Sequence, residues 1–234
     1  MRWQGKNLEV EVLFSTAGLA TQILVRAGSV YLLFDTGDGT LRDLLARHIL
    51  PQKIGAIFIT HGHADHMAGL YAILGYLRAE DYKGHFWIYY PRGTCEVEKV
   101  IAAFQCCYHS TMPYELIFHS LNDGDTVTVG EAQILAKKVF HWHSIKGRPI
   151  APVPALGYRV TFQNEVLAIT GDTAFFPGVV ELIKGADVAL IEATLADDAP
   201  LEQRRLLHLT YQEAKTLASF AKETIFIHTA QSHA

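Results

Sequence analysis

Cysteine is scarce in this chain: Cys95, Cys106 and Cys107 are the whole set in 234 residues. Their spacing fits neither a disulfide framework nor a thiolate metal site. They are expected to be small buried or half-buried apolar residues of a protein in a reducing cytoplasm. Charge is thin as well. Asp, Glu, Lys and Arg make up 19% of the residues, below the usual quarter, which suits a large sheet buried on both faces. There is no basic excess. The formal net charge is −4, so a general electrostatic grip on nucleic acid has no support. No apolar run approaches membrane-spanning length, and the start Met1-Arg2-Trp3-Gln4-Gly5-Lys6 lacks the apolar stretch of a leader. A Pro/Gly/Ser-rich linker is missing too. Half of the residues are hydrophobic, enough for one large domain over residues 1–234.

What the chain does have is concentrated in Thr60-His61-Gly62-His63-Ala64-Asp65-His66. Three imidazoles and a carboxylate follow directly on the apolar run Ile54-Gly55-Ala56-Ile57-Phe58-Ile59, which reads as a buried strand. The polar cluster therefore sits where a strand leaves its sheet, a common location of α/β active sites. Imidazole nitrogen and carboxylate oxygen are ligands of borderline and harder divalent metals. His61 and His63 are two apart, so an extended chain end points both to one side. Asp65 and His66 follow as the chain turns into a helix from Met67 to Arg78 and can face a second point nearby. The spacing predicts two metals. A single histidine at a strand end would read as an ordinary polar residue; four potential ligands between a strand and a helix do not.

The rest of the chain alternates in an orderly way. Leu8 to Ser15, Thr21 to Ala27 and Ser29 to Asp35 read as strands. Thr40 is a plausible N-cap of a helix running to about Leu50, stopped by Pro51. A strand from Phe86 to Tyr90, a helix from Cys95 to Cys107 and an extended stretch from Tyr114 to His119 follow. Past the turn Asn122-Asp123-Gly124-Asp125 come strands from Thr126 to Val129 and Gln133 to Phe140. The second half adds strands from Tyr158 to Gln163 and Val166 to Ile169, a helix from Pro177 to Lys184 and a strand from Val188 to Ile191. It ends with a helix from Thr210 to Lys222 and a strand from Thr224 to Ile227. Two mixed sheets packed face to face, with helices outside, would bury both sheet faces.

His-x-His-x-Asp-His resembles the signature of the metallo-β-lactamase superfamily, and the resemblance covers nearly the whole chain. Leu33-Phe34-Asp35-Thr36-Gly37-Asp38-Gly39-Thr40 looks like that family's "D-x-G-x-G-T" element. His143-Ser144, Gly171-Asp172-Thr173 and His228 follow in the order of its remaining ligands. The resemblance implies an α/β fold, a four-layer αβ/βα sandwich of two mixed sheets with the metals at one sheet edge. It implies that His61, His63 and His143 hold one ion and that Asp65, His66 and His228 hold the other, with Asp172 bridging. His141 and His143 compete for the third-histidine place, since both point to one face of a strand. The family's third histidine is commonly followed by Ser and later by a Gly-Tyr strand start, here Gly157-Tyr158. That favours His143 and leaves His141 to line the pocket or to support a ligand.

Two further residues narrow the chemistry. Glu192 ends the strand before Ala193-Thr194, and His208 precedes the helix at Thr210. On their own they read as a solvated strand-end carboxylate and a helix-flanking histidine. Together they resemble the "E-A-T" and "H-S/L-T" elements of the transfer-RNA 3′-processing ribonuclease Z branch, in which the Glu orients a His that protonates the leaving oxygen. The carboxylate raises the imidazole pKa and fixes its tautomer. The expected catalytic groups are then Asp65, Glu192 and His208. Two divalent ions about 3.5–4 Å apart would generate a bridging hydroxide as nucleophile and clamp the oxygens of an in-line displacement. Zinc suits the imidazole-rich set, and manganese or iron would also fit.

The chain departs from ribonuclease Z in three places. The segment between His143 and Asp172 is too short for that family's transfer-RNA-gripping arm. The ending His228-Thr229-Ala230-Gln231-Ser232-His233 replaces "H-x-S-x-R-Y", and Ala20-Thr21-Gln22-Ile23 replaces its N-terminal phosphate-side motif. The expected activity is a two-metal phosphodiesterase acting on a small phosphodiester or a short RNA end, with no membrane partner; a homodimer is compatible with these features. A two-metal hydrolase of lactones, thioesters or β-lactams and a non-catalytic metal-binding module are the alternatives. The Glu192/His208 pair speaks against the first and the filled ligand positions against the second.

Overall fold

The computed structural model describes residues 1–230. The first sheet holds seven strands in chain order: β1 (Arg2–Gln4), β2 (Leu8–Thr16), β3 (Ala20–Ala27), β4 (Val30–Phe34), β5 (Ile54–Phe58), β6 (His85–Pro91) and β7 (Glu115–Leu121). β1 to β4 pair antiparallel, and β4 to β7 pair parallel. Parallel neighbours need crossovers, supplied by α1 (Thr40–Ala46), by α2 (Ala64–Met67) with α3 (Leu70–Ala79), and by α4 (Cys95–Tyr108). The second sheet repeats the scheme. β8 (Thr126–Val129), β9 (Ala132–Lys138), β12 (Leu156–Phe162) and β13 (Glu165–Ile169) are antiparallel. β14 (Val188–Glu192) and β15 (Glu223–Ile227) add on in parallel, over α5 (Pro177–Ile183), α6 (Leu201–Leu206) and α7 (Tyr211–Ala218). Between β9 and β12 the chain makes a separate antiparallel hairpin of β10 (His141–Ile145) and β11 (Arg148–Val153).

Three apolar clusters show how the layers stack. One lies between the sheets and includes Leu8, Val25, Phe34, Phe58, Ile134, Tyr158, Leu167 and Leu190. A second joins the first sheet to α3 and α4 through Ile57, Ile73, Leu77, Ile101 and Phe104, and the third joins the second sheet to α5 and α7 through Ala189, Ile191, Leu182 and Leu217. The chain is thus a four-layer αβ/βα sandwich, as expected. Phe34, Phe58 and Tyr158 meet at its centre with ring centroids 5.1–5.5 Å apart, and the Tyr158 hydroxyl donates to the Ile59 carbonyl at 2.7 Å, next to Thr60. That contact ties the core to the strand end that opens the ligand cluster.

Some sequence expectations need correction. Gly39, not Thr40, caps α1, which ends at Ala46; Thr40 is its first residue and its hydroxyl bonds back to Gly37. The helix expected from Met67 is broken at Gly69, whose N–H donates to Thr36 at 2.7 Å. This leaves α2 as a separate turn carrying Asp65 and His66. β11 and α6 carried no periodic signal, β11 because Pro149 and Pro152 interrupt it. All three cysteines are exposed free thiols instead of buried apolar residues. No helix among the described residues is long and apolar enough to cross a membrane.

Candidate metal centre

The parallel strands of both sheets end at one edge, where His61 and His63 follow β5, Asp172 follows β13, Glu192 ends β14 and His228 follows β15, while His141 and His143 come from the separate hairpin. Two residues at this edge leave their strands in a left-handed backbone that is uncommon outside glycine: Asp35 (φ 58°) after β4 and His228 (φ 50°) after β15. Such bends persist where the surroundings hold them, and they gather at functional sites. The Asp35 carboxylate accepts from the Thr60 N–H at 2.7 Å and its hydroxyl at 2.9 Å, and the His228 N–H donates to Ser15 Oγ at 2.8 Å. Gly171 also takes a left-handed conformation (φ 59°) and lies so close to Thr60 that a Cβ there would stand 2.9 Å from the Thr60 Cβ. A side chain there would have to push Thr60, the neighbour of His61, aside.

Three overlapping groups of ligand atoms result among the described residues: His61, His63, His141 and Asp172; Asp65, His66 and His228; and Asp172, His208 and His228. In the first, His63 Nδ1 is 3.0 Å from His61 Nε2 and 3.1 Å from His141 Nε2. Asp172 Oδ2 is 3.7 Å from His61 Nε2 and 3.9 Å from His141 Nε2. In the second, His228 Nε2 is 3.2 Å from Asp65 Oδ2 and 3.5 Å from Asp172 Oδ2, and His66 Nε2 lies 3.4 Å from Asp172 Oδ2 and 3.9 Å from Asp65 Oδ2. A tetrahedral ion with ligands at about 2.0–2.1 Å has ligand–ligand edges of about 3.3–3.4 Å. The first two groups surround a volume of that size, and Asp172 Oδ2 of the first lies 3.4 Å from His66 Nε2 and 3.5 Å from His228 Nε2 of the second.

Electrostatics and unmet hydrogen bonding point the same way. His66 Nε2 and Asp172 Oδ1 are buried without a hydrogen-bond partner. Burial disfavours charge on His66, yet the Asp172 and Asp35 carboxylates beside it hold its pKa well above the usual imidazole range, so the site favours positive charge there. Burial pushes His141 down to about 3 and His61 well below the usual imidazole range, which keeps both rings neutral and able to ligate. Burial opposes the charge on Asp65, but the hydrogen bond from His228 brings its carboxyl down to about 2. Buried donors, negative charge and matching edges fit a pair of divalent cations.

For the third histidine, the group of potential ligands contains His141, 3% exposed, and not His143, which the resemblance favoured; His143 stands outside it with Nδ1 2.8 Å from His63 Nε2. The hairpin is tied to the Asp172 loop at Phe140, whose carbonyl accepts from Ala174 N–H at 2.7 Å, and the next residue falls at the centre. Two residues further on a strand has advanced about 6.6 Å, which carries His143 past it. Sequence reasoning also missed the residues that hold the rings. Asp35 accepts from His66 Nδ1 at 2.7 Å, the Leu207 carbonyl accepts from His141 Nδ1 at 2.7 Å, and Thr194 Oγ1 pairs with His228 Nδ1 at 2.8 Å. Asp35 and Thr194 lie inside motifs that were noticed; a backbone carbonyl leaves no trace in a sequence.

Glu192 and His208 do come together. Glu192 is fully buried. Its Oε1 accepts from Thr173 N–H at 2.9 Å and faces His208 Nδ1 at 3.0 Å, and its Oε2 accepts from Thr194 N–H at 3.1 Å and Oγ1 at 2.7 Å. Burial disfavours the charged form of His208, but the charge and hydrogen bond of Glu192 push it up to about 9. A reciprocal capping box of Thr210 and Glu213 fixes the start of α7 and thereby the Leu207–Leu209 segment. His63, Asp65, His141, His143, Asp172, His208 and His228 line one pocket of about 400 Å³.

Known proteins share this architecture. Ribonuclease Z of Pyrococcus furiosus is 26% identical, with 94% of this chain and 86% of that protein covered. The alignment runs over 270 positions, more than this chain's 234 residues, so the relative carries segments that this chain lacks. The crystal structure of the short form of human tRNase Z superposes with a TM-score of 0.77 at 24% identity, covering 95% of this chain and 93% of that one. YhfI of Bacillus subtilis, a metallo-β-lactamase fold protein, superposes at 0.78 with 19% identity, covering 98% and 89%. The family described as the beta-lactamase superfamily domain matches residues 31–229, the stretch from β4 to just past His228 that carries every ligand candidate, and the chain belongs to that superfamily.

Proposed function

We propose that this protein is a metal-dependent phosphodiesterase that hydrolyses a small phosphodiester or a short RNA end in a reducing cytoplasm. The observation that carries the reading is the Glu192–His208 pair beside the ligand groups, with Asp172 Oδ2 of the first within 3.5 Å of His66 and His228 of the second. His61, His63, His141 and Asp172 would hold one ion, and Asp65, His66, His228 and Asp172 the other. Zinc is the preferred metal, because five of the seven ligands are imidazoles. When bound, such ions supply the charge that draws in a phosphodiester and activate water for attack on phosphorus.

The protein's own contribution is orientation and a proton. Glu192 has both oxygens engaged, so it is locked in place and holds the proton of His208 Nδ1. The ring's other nitrogen, Nε2, is then the donor left for the pocket, and His208 hands its proton to the departing oxygen. An acyl substrate with a good leaving group needs no such acid. A pocket of about 400 Å³ matches a mononucleotide-sized group better than a folded RNA. The precursor-RNA substrate of the ribonuclease Z relatives is therefore not assigned to this chain.

The test is the dependence on leaving group. His208→Ala should cost about 10²–10⁴-fold on an alkyl phosphodiester, the usual contribution of a positioned acid. It should cost far less on a p-nitrophenyl ester, whose leaving group needs little protonation, and metal content should stay unchanged. Glu192→Gln should show the same pattern more mildly. Equal losses on both esters would mean that His208 binds substrate and is not the acid.

A further inference from the structure

Each of the imidazoles converging on the centre has one nitrogen turned to the ligand group and one turned away. For four of them the outward nitrogen meets an oxygen. His61 Nδ1 lies 3.1 Å from Thr60 Oγ1; His66, His141 and His228 meet Asp35, the Leu207 carbonyl and Thr194. Ligating histidines characteristically have the other ring nitrogen held in this way, which fixes tautomer and ring angle. His63 is the exception in two respects. It presents Nδ1 inward, where the others present Nε2, and its outward Nε2 meets another imidazole, Nδ1 of His143, at 2.8 Å.

We propose that His143 is the positioning residue of His63: it accepts the His63 Nε2–H on its own Nδ1 and so keeps Nδ1 of His63 free and aimed at the metal. This rests on the metal centre of the preceding section. A ring that ligates through Nδ1 carries its proton on Nε2. That proton needs an acceptor, and His143 Nδ1 is the partner within hydrogen-bond distance. One strand, β10, then builds two parts of the centre. His141 ligates, and two residues along, on the same face, His143 supports a ligand that follows β5 of the first sheet. The hairpin is thereby a clasp on the metal site and not only a rim of the pocket.

The experiment is competition for Zn²⁺ between the intact chain and a chromogenic chelator, in wild type, His143→Ala, His143→Asn and His141→Ala. Loss of His143 should weaken one of the two sites about 10–100-fold, the usual effect of removing such a support, while saturating zinc still gives two equivalents. Asn places an amide oxygen near the position of Nδ1, so His143→Asn should recover most of the affinity. His141→Ala should lose that ion outright. Wild-type affinity in His143→Ala, or no recovery in His143→Asn, would overturn the role. Outright loss of an ion in both His143 variants would make His143 a ligand itself. A wild-type chain that binds no zinc would fail the metal centre as a whole, a result distinct from these.

Discussion

Asp172 Oδ2 stands between both ligand groups, 3.4–3.9 Å from nitrogens of His61, His66, His141 and His228. Removing it should damage both sites at once. Asp172→Ala should drop metal content from close to two equivalents to well below one, read by elemental analysis of purified protein. Retention of one tight ion would contradict the shared oxygen. At this scale the sequence was informative where ligands are neighbours in the chain: His61, His63, Asp65 and His66 converge because a strand end and one turn of helix bring them together. Between His141 and His143, which lie on one face of β10, it favoured His143 on the strength of the family's motif, whereas the group of potential ligands contains His141. The Leu207 carbonyl, 66 positions away, and the tie of Phe140 to Ala174 single out His141.

At the scale of elements, the centre depends on how strands end and helices begin. Gly171→Ala would force a side chain into a left-handed backbone and against Thr60, which itself holds Asp35 and faces His61. We expect about 1–2 kcal/mol of lost stability in urea unfolding, together with weaker metal binding. Unchanged values for both would show that the close approach of Thr60 and Gly171 is not needed. Thr210→Ala removes the capping box of α7 and should cost about 1 kcal/mol. Strands with continuous apolar runs, such as β5 and β14, were legible because full burial leaves that pattern. The hairpin was not, because its prolines disrupt the strand pattern and its pairing is set by the fold around it. The α2–α3 break was hidden for a related reason: the contact of Gly69 with Thr36 is tertiary.

For the whole molecule, residues that follow strands of both sheets converge at the candidate centre, so ions bound there would link the halves. Chelation should therefore lower Tm. A loss of about 2.7 kcal/mol, the linkage at a hundredfold excess over Kd, corresponds to about 5–10 °C for a chain of this size. A Tm indifferent to chelator would contradict metal binding at this junction. The four-layer architecture was readable from the alternation of strands and helices, which demands covers on both sheet faces. The expected replacement at Gln231-Ser232-His233 lies outside the described residues. Substrate scale follows from net charge and pocket size. Precursor transfer RNA should be cleaved much more weakly than an activated small phosphodiester at the same salt concentration, and efficient processing at low nanomolar RNA would overturn the size argument.

The most direct measurement is a side-by-side rate comparison of the zinc-loaded chain on bis(p-nitrophenyl) phosphate, a lactone and a thioester. The phosphodiesterase reading predicts turnover of the phosphodiester and little or none of the two carboxyl substrates. Preferred turnover of the lactone or thioester, with the phosphodiester untouched, would contradict it.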